Sequence, residues 1–242
     1  MKVQTSLALA VAIALAASAC SKDNSEPVKA AAEPAKQAEP AEVAAEPETI
    51  VNPLLVKSGN YLQYPEFDLI EDEHYAPAFE AAMAEHIKEI EAIANNADAP
   101  AFDNTMVAME RSGQTLGRVA RVFFSMASAN TNDTIEAVRS EMAPKLSAHR
   151  DAILLDPTLF ARVKAVYENR DTIELDPESY RLVEETYKDF VRAGALLSNE
   201  DKEKLKAYNA ELATLATQFS QNVLGEVNAN AIVVDSAAVS YT

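Results

Sequence analysis

Between Phe102 and Asp133 the residues Met106, Met109, Gly113, Leu116, Ala120, Phe123 and Ala127 recur at steps of three and four. Steps of that size place side chains along one face of a helix, whereas a strand would need alternation. Polar residues bracket the stretch. Asp103 or Asn104 offers an N-cap oxygen to the first free backbone N–H groups, and Asn130 to Asp133 ends the helix and caps the next. The spacing predicts one long helix from end to end. Gly113 and Gly117 form G-x-x-x-G on or beside its apolar face. Glu110, Arg111, Arg118 and Arg121 exclude a membrane span, so the glycines predict close approach of a neighbouring helix in a water-soluble bundle.

The same period recurs along most of the chain and predicts an all-α fold, an antiparallel bundle of long helices. Asn52 to Pro65, with Pro, Gly and Tyr but no helical period, is irregular. A first helix over Asp72 to Ala94 carries Phe79, Met83, Ile87, Ile90 and Ala94 as its apolar stripe, has Glu71, Asp72 and Glu73 at its N-terminal end, and stops at Asn95-Asn96. Asp133-x-x-Glu136 reads as a capping box for a helix whose inner face is Ile135, Val138, Met142 and Leu146, kinked at Pro144. Asp156-Pro157 and Asp176-Pro177 start two more helices, with Pro at the first helical position. Leu159, Phe160, Val163, Val166 and Tyr167 face the core from one, and Leu182, Val183, Thr186, Tyr187 and Phe190 from the other, which ends at Gly194. Ser198-x-x-Asp201 opens the last helix, with Leu205, Tyr208, Leu212, Leu215, Phe219 and Val223 as its inner stripe. Ala231 to Val234 reads as a short strand.

Ahead of this bundle lie two segments of different character. Lys2 and the apolar run Leu7 to Ala17 have the form of an export signal. Eleven helical residues span roughly 16 Å, about half of a bilayer core of about 30 Å. The run ends AASAC, which resembles a lipoprotein signal and assigns residues 1–19 to a signal peptide and Cys20 to lipid attachment; cleavage after Ala17-Ser18-Ala19 is the alternative. Ser21 in the next position resembles a signal for the outer membrane, so the expected location is the periplasmic face of that membrane, with the lipid on Cys20 as the contact. Residues 20–49 then form a tether in which Glu-Pro recurs at 26–27, 33–34, 39–40 and 46–47. Regular proline forbids a continuous helix, and the stretch has nothing to build a core. The folded domain is expected over residues 50–242.

Charge narrows the partners. The chain carries 38 Asp and Glu against 21 Lys and Arg, a net charge of −17, which argues against nucleic acid. The lone cysteine forbids an intrachain disulfide. The three histidines, His74, His86 and His149, form no H-E-x-x-H, the helical pairing that grips a catalytic zinc. Glu71-x-x-His74 has the spacing of one half of a di-iron site, but such sites need two copies, so a helix start with a surface histidine accounts for it. There is no G-x-S-x-G, no phosphate-binding glycine loop and no paired-cysteine motif. Arg118 and Arg121 could face a peptide, but a solvated helix face is the reading the pattern favours.

FDNT at 102–105, ERSGQ at 110–114, RVARVFF at 118–124 and SANTND at 128–133 together resemble the N-terminal helical region of bacterial peptidyl-dipeptidases, zinc metallopeptidases of the thimet-oligopeptidase-like M3 family. NPLL at 52–55, FDLIEDEHYAPAFEAAM at 67–83, FVRAGALLS at 190–198 and TQFSQNVL at 217–224 extend the resemblance from about Asn52 to about Asp235. The resemblance implies the N-terminal helical half of a two-domain, channel-type enzyme whose intact form releases dipeptides from the C-termini of short peptides. It also implies a zinc domain later in sequence. On that basis this chain forms channel wall, holds no catalytic residue and no metal ligand of its own, and is expected to be inactive alone. A helical periplasmic lipoprotein acting as a scaffold or peptide-binding module is the alternative.

Overall fold

The computed structural model describes residues 51–232, and the lipid-attachment position, the tether and most of the expected strand at 231–234 lie outside that range. Residues 231 and 232 are coil. Among the described residues the chain is helical: α1 (Tyr75–Ala94), α2 (Ala108–Arg111), α3 (Gln114–Ala129), α4 (Asp133–Leu154), α5 (Pro157–Asn169), α6 (Pro177–Arg192) and α7 (Asn199–Ala229). No helix among them is long and apolar enough to cross a membrane.

Helix starts follow the local chemistry of the sequence. Asn132 Oδ1 accepts from the Ile135 N–H at 2.9 Å, so α4 is capped one residue before the Asp133 expected to do so. Asp156 accepts from Leu159 N–H at 2.6 Å, Asp176 from Ser179 N–H at 2.8 Å, and Ser198 from Asp201 N–H at 3.1 Å. Each satisfies a backbone donor that the first helical turn leaves without a partner. α6 ends at Gly194 with φ +102°, where Ala195 N–H reaches back to Phe190 O and Gly194 N–H to Val191 O, the paired bonds of a Schellman cap. α4 continues through Pro144 as one helical element.

The long helix expected over 102–133 is instead three pieces. A π-type turn covers Phe102–Val107, α2 follows, and the chain breaks at Ser112-Gly113 before α3 begins. Gly113 adopts φ +65°, the left-handed region that glycine enters without steric cost. A Cβ there would stand 2.8 Å from the His86 ring. The close approach expected of the glycine pair is therefore real at Gly113, but it is made to an imidazole on α1 at a break between helices. The N-cap expected at Asp103 or Asn104 lies at Ala101; Asn104 reaches back to accept from the Ala101 N–H at 2.9 Å.

Apolar side chains gather in two clusters, and α1 serves both. Its first half gives Tyr75, Ala78, Phe79 and Ala82 to a core with Leu54 of the irregular segment, with Val119, Val122 and Phe123 of α3 and with Ile135, Val138 and Met142 of α4. Tyr75 and Phe79 each meet the Phe123 ring edge-on, at 5.1 and 5.3 Å between centroids. Its second half gives Ile90, Ile93 and Ala94 to a core with Met106, with Leu159, Phe160, Val163 and Val166 of α5 and with Val183 and Phe190 of α6. Between the two cores α1 carries His86 and Glu89, a polar waist. α7 runs antiparallel along α4, tied by Gln221 to the Glu136 carboxylate at 2.9 Å, by Asn209 to Asp151 at 2.9 Å and by Lys202 to Leu155 O at 3.1 Å. The stripe expected to face inward from α7 faces outward: Tyr208, Leu212, Leu215, Phe219 and Val223 are 46–69% exposed, with only Leu205 half-buried.

Candidate functional site

The break at Ser112-Gly113 organises what chemistry these residues bring together. Behind it, on α1 and α4, His86 Nδ1 and His149 Nε2 lie 3.0 Å apart, and His86 Nε2 lies 3.1 Å from Ser112 Oγ. The Ser112 hydroxyl donates to Met109 O at 2.7 Å, because a carbonyl can only accept. With its one proton committed, Ser112 Oγ accepts from His86 Nε2–H. Neutral His86 then presents a lone pair at Nδ1, which accepts from His149 Nε2–H. The three groups form a directed chain that ties α4 to α1 and α1 to the break. Glu89, one turn on from His86, accepts the Gly113 N–H at 2.6 Å.

Burial pushes both imidazoles below their ordinary range. Glu89 partly offsets this at His86, while the His86 ring adds to it at His149. The arrangement holds a serine beside a histidine without being a nucleophile and its base: Ser112 Oγ points its proton at a carbonyl, and His86 turns a proton rather than a lone pair toward it. The pairing of two histidines 63 positions apart was not legible from their spacing.

In front of the break lies a cleft of about 580 Å³. One wall is the irregular segment, with Lys57, Leu62, Tyr64 and Phe67; the other is the first three turns of α3, with Gly117, Arg118 and Arg121. Two short 3-10 turns, Tyr61–Gln63 and Phe67–Leu69, build the irregular wall. Leu62 and Gln63 hold φ of +54° and +56°, strained for residues with side chains. The Arg118 guanidinium, for which the sequence favoured a solvated helix face over peptide contact, is instead held by the chain: Nε and Nη2 donate to the Leu54 and Leu55 carbonyls at 3.3 and 3.0 Å and tie the two walls together. Arg121 is exposed and lies across Gly117, its Nη1 3.3 Å from where a Cβ would stand.

Metal chemistry does not fit the described residues. They gather no cluster of three His, Cys, Asp or Glu side chains. His86 and His149 are engaged with each other, and His74 Nδ1 accepts the Glu71 N–H at 3.0 Å, so the E-x-x-H spacing serves a helix start.

No family model matches the chain. It is similar to curated relatives. It is 46% identical over 186 residues to a dipeptidyl carboxypeptidase of Salmonella typhimurium, a match covering 77% of this chain and 27% of that protein. It is 44% identical over 190 residues to a dipeptidyl carboxypeptidase of Escherichia coli, covering 78% and 28%. A thimet-like oligopeptidase of Dictyostelium discoideum is 27% identical over 125 residues, covering 50% and 19%. The chain spans little more than a quarter of the length of the two bacterial relatives.

Proposed function

We propose, from the premise that this chain is homologous to the dipeptidyl carboxypeptidases over 77–78% of its length, that it supplies helical wall to a peptidase that releases dipeptides from peptide C-termini. The identity of 44–46% to two such proteins carries the proposal. In it the described helices frame and confine the peptide, and the reacting groups belong to further polypeptide. Zinc, where such an enzyme uses it, polarises a carbonyl and lowers the pKa of bound water; no step of that chemistry is assigned to the residues described here. The outward stripe of α7 supports the same view, since a row of exposed apolar side chains on a 31-residue helix is a surface suited to cover by more protein. It weighs against the stand-alone scaffold, in which that stripe would be turned to the core. The lipid anchor at Cys20 and the tether of residues 20–49 would hold the assembly at the outer membrane.

A chimera tests this. The matching 190-residue stretch of the Escherichia coli relative is replaced by its counterpart from this chain. Dipeptide release from a blocked tetrapeptide is expected to persist in the chimera and to be absent from purified residues 20–242. Turnover by residues 20–242 alone would overturn the division of labour. A chimera that folds by circular dichroism yet releases no dipeptide would overturn the homologous role.

A further inference from the structure

In a chain of net charge −17, the cleft in front of the Ser112-Gly113 break is lined by Lys57, Arg118 and Arg121 against one acid, Glu110. None of these three cations makes an ion pair among the described residues, although nine other lysines and arginines do. Arg118 gives two of its donors to neutral carbonyls, so its charge stays uncompensated. A concave site lined by one sign of charge focuses the field and concentrates counter-charge, here against the sign of the rest of the molecule. Beside the cations stand Leu62, Tyr64 and Phe67, exposed apolar side chains on the strained wall. Gly113 and Gly117 lie in the opposite wall, where the Arg121 guanidinium lies across Gly117 and faces the cleft. The volume, about 580 Å³, lies within the range of roughly 300–1,000 Å³ usual for ligand sites.

We propose that this cleft binds an extended peptide segment through acidic side chains, with Lys57 and Arg121 as the charge partners and Tyr64 and Phe67 as the apolar platform. The proposal rests on the peptidase reading for its ligand class and adds a preference to it: peptides carrying Glu or Asp between apolar residues are held at this wall. Arg118 positions the site by bridging its two walls. The Gly113 N–H plays no part, because Glu89 already accepts from it.

The test is isothermal titration of the full chain with acetylated, amidated Phe-Glu-Leu-Glu and with its counterpart Phe-Gln-Leu-Gln. Both lack a free terminal carboxylate, and neither needs to be cleaved, so the outcome is independent of the chimera experiment. The glutamate peptide is expected to bind at least tenfold tighter than the glutamine peptide. That preference should shrink as salt rises through 0.3 M and vanish in the double variant K57E/R121E, both positions being exposed and free of structural bonds. Arg121→Lys should keep it. Equal binding of the two peptides would overturn the proposal, as would a preference that survives K57E/R121E in protein with unchanged circular dichroism. So would a Phe-Gln-Leu-Gln free acid that binds as tightly as the amidated glutamate peptide, since the terminal carboxylate would then be the group recognised.

Discussion

α3 and α7 carry the same kind of apolar stripe, and the fold uses them in opposite ways. α3 turns Val119, Val122 and Phe123 into a core closed by α1 and α4, where Phe123 is fully buried between two aromatic rings. α7 lies against α4 through Asn209, Gln221 and the long stem of Lys202, and leaves Leu212, Leu215 and Phe219 in solvent. Helical period states which residues share a face. It does not state whether that face meets this chain's own core or other protein, and polar side chains at the right register can hold a helix in place while its apolar face stays open.

The largest effect that would sharpen this contrast is expected from Phe123→Ala. Removing a fully buried ring from an interlocked cluster costs about 3–5 kcal/mol, readable as a lowered urea midpoint at unchanged slope. A cost near zero would mean that the α1–α3 core is not the stabilising half. Next is Gly113→Ala, expected to cost about 2 kcal/mol, because the left-handed backbone disfavours a side chain by about 1–2 kcal/mol and the new methyl would stand 2.8 Å from the His86 ring. If Gly113→Ala is neutral, the break is not held by the His86 packing.

The waist between the cores supplies a pH test. Both imidazoles have folded pKa values depressed below their unfolded values, chiefly by burial. The unfolded chain therefore binds more protons in the acid range, and stability rises with pH there. The contribution is present above the unfolded value of about 6.5 and is lost as pH falls through the folded values. The first proton can enter at His149 Nδ1 and leave the chain of hydrogen bonds intact; the second must enter at His86 Nδ1 and break the tie between α1 and α4. His86→Gln with His149→Gln should flatten the loss of stability in thermal unfolding as pH falls below the unfolded value of about 6.5. A slope unchanged in the double variant would assign the acid sensitivity to other groups.

Much of the bundle was legible because it rests on local rules. Asp156-Pro157, Asp176-Pro177, Ser198 and Gly194 act at the helix ends their chemistry predicts, and the stripes of α1, α4, α5 and α6 point inward as their spacing implies. The failures have one cause. At Gly113, a contact from α1 and a carboxylate from Glu89 stabilise a break that the periodicity of 102–133 bridges without a gap. The cleft joins Lys57 to Arg121 across 64 positions, and the waist joins His86 to His149; neither leaves a spacing signal within one element. The outward turn of α7 was invisible because an apolar stripe looks the same whether the chain itself or other protein covers it.

The smallest effect is expected where the stripe is open. Phe219 is 69% exposed, so Phe219→Ser should change the unfolding free energy of this chain by no more than about 0.5 kcal/mol. It should also lower the binding of a hydrophobic dye, because it removes part of the exposed patch. The same substitution placed in the Escherichia coli chimera is expected to behave differently. If further polypeptide covers α7 there, Phe219 becomes a buried contact, and its loss should cost about 3 kcal/mol or more. Equal small costs in both settings would leave the stripe uncovered in the longer protein as well, and the outward face of α7 would then need a different partner. A large cost already in the isolated chain, growing with protein concentration, would show that a second copy covers it. The contrast between α3 and α7 would then be one between intramolecular and intermolecular burial of the same sequence pattern.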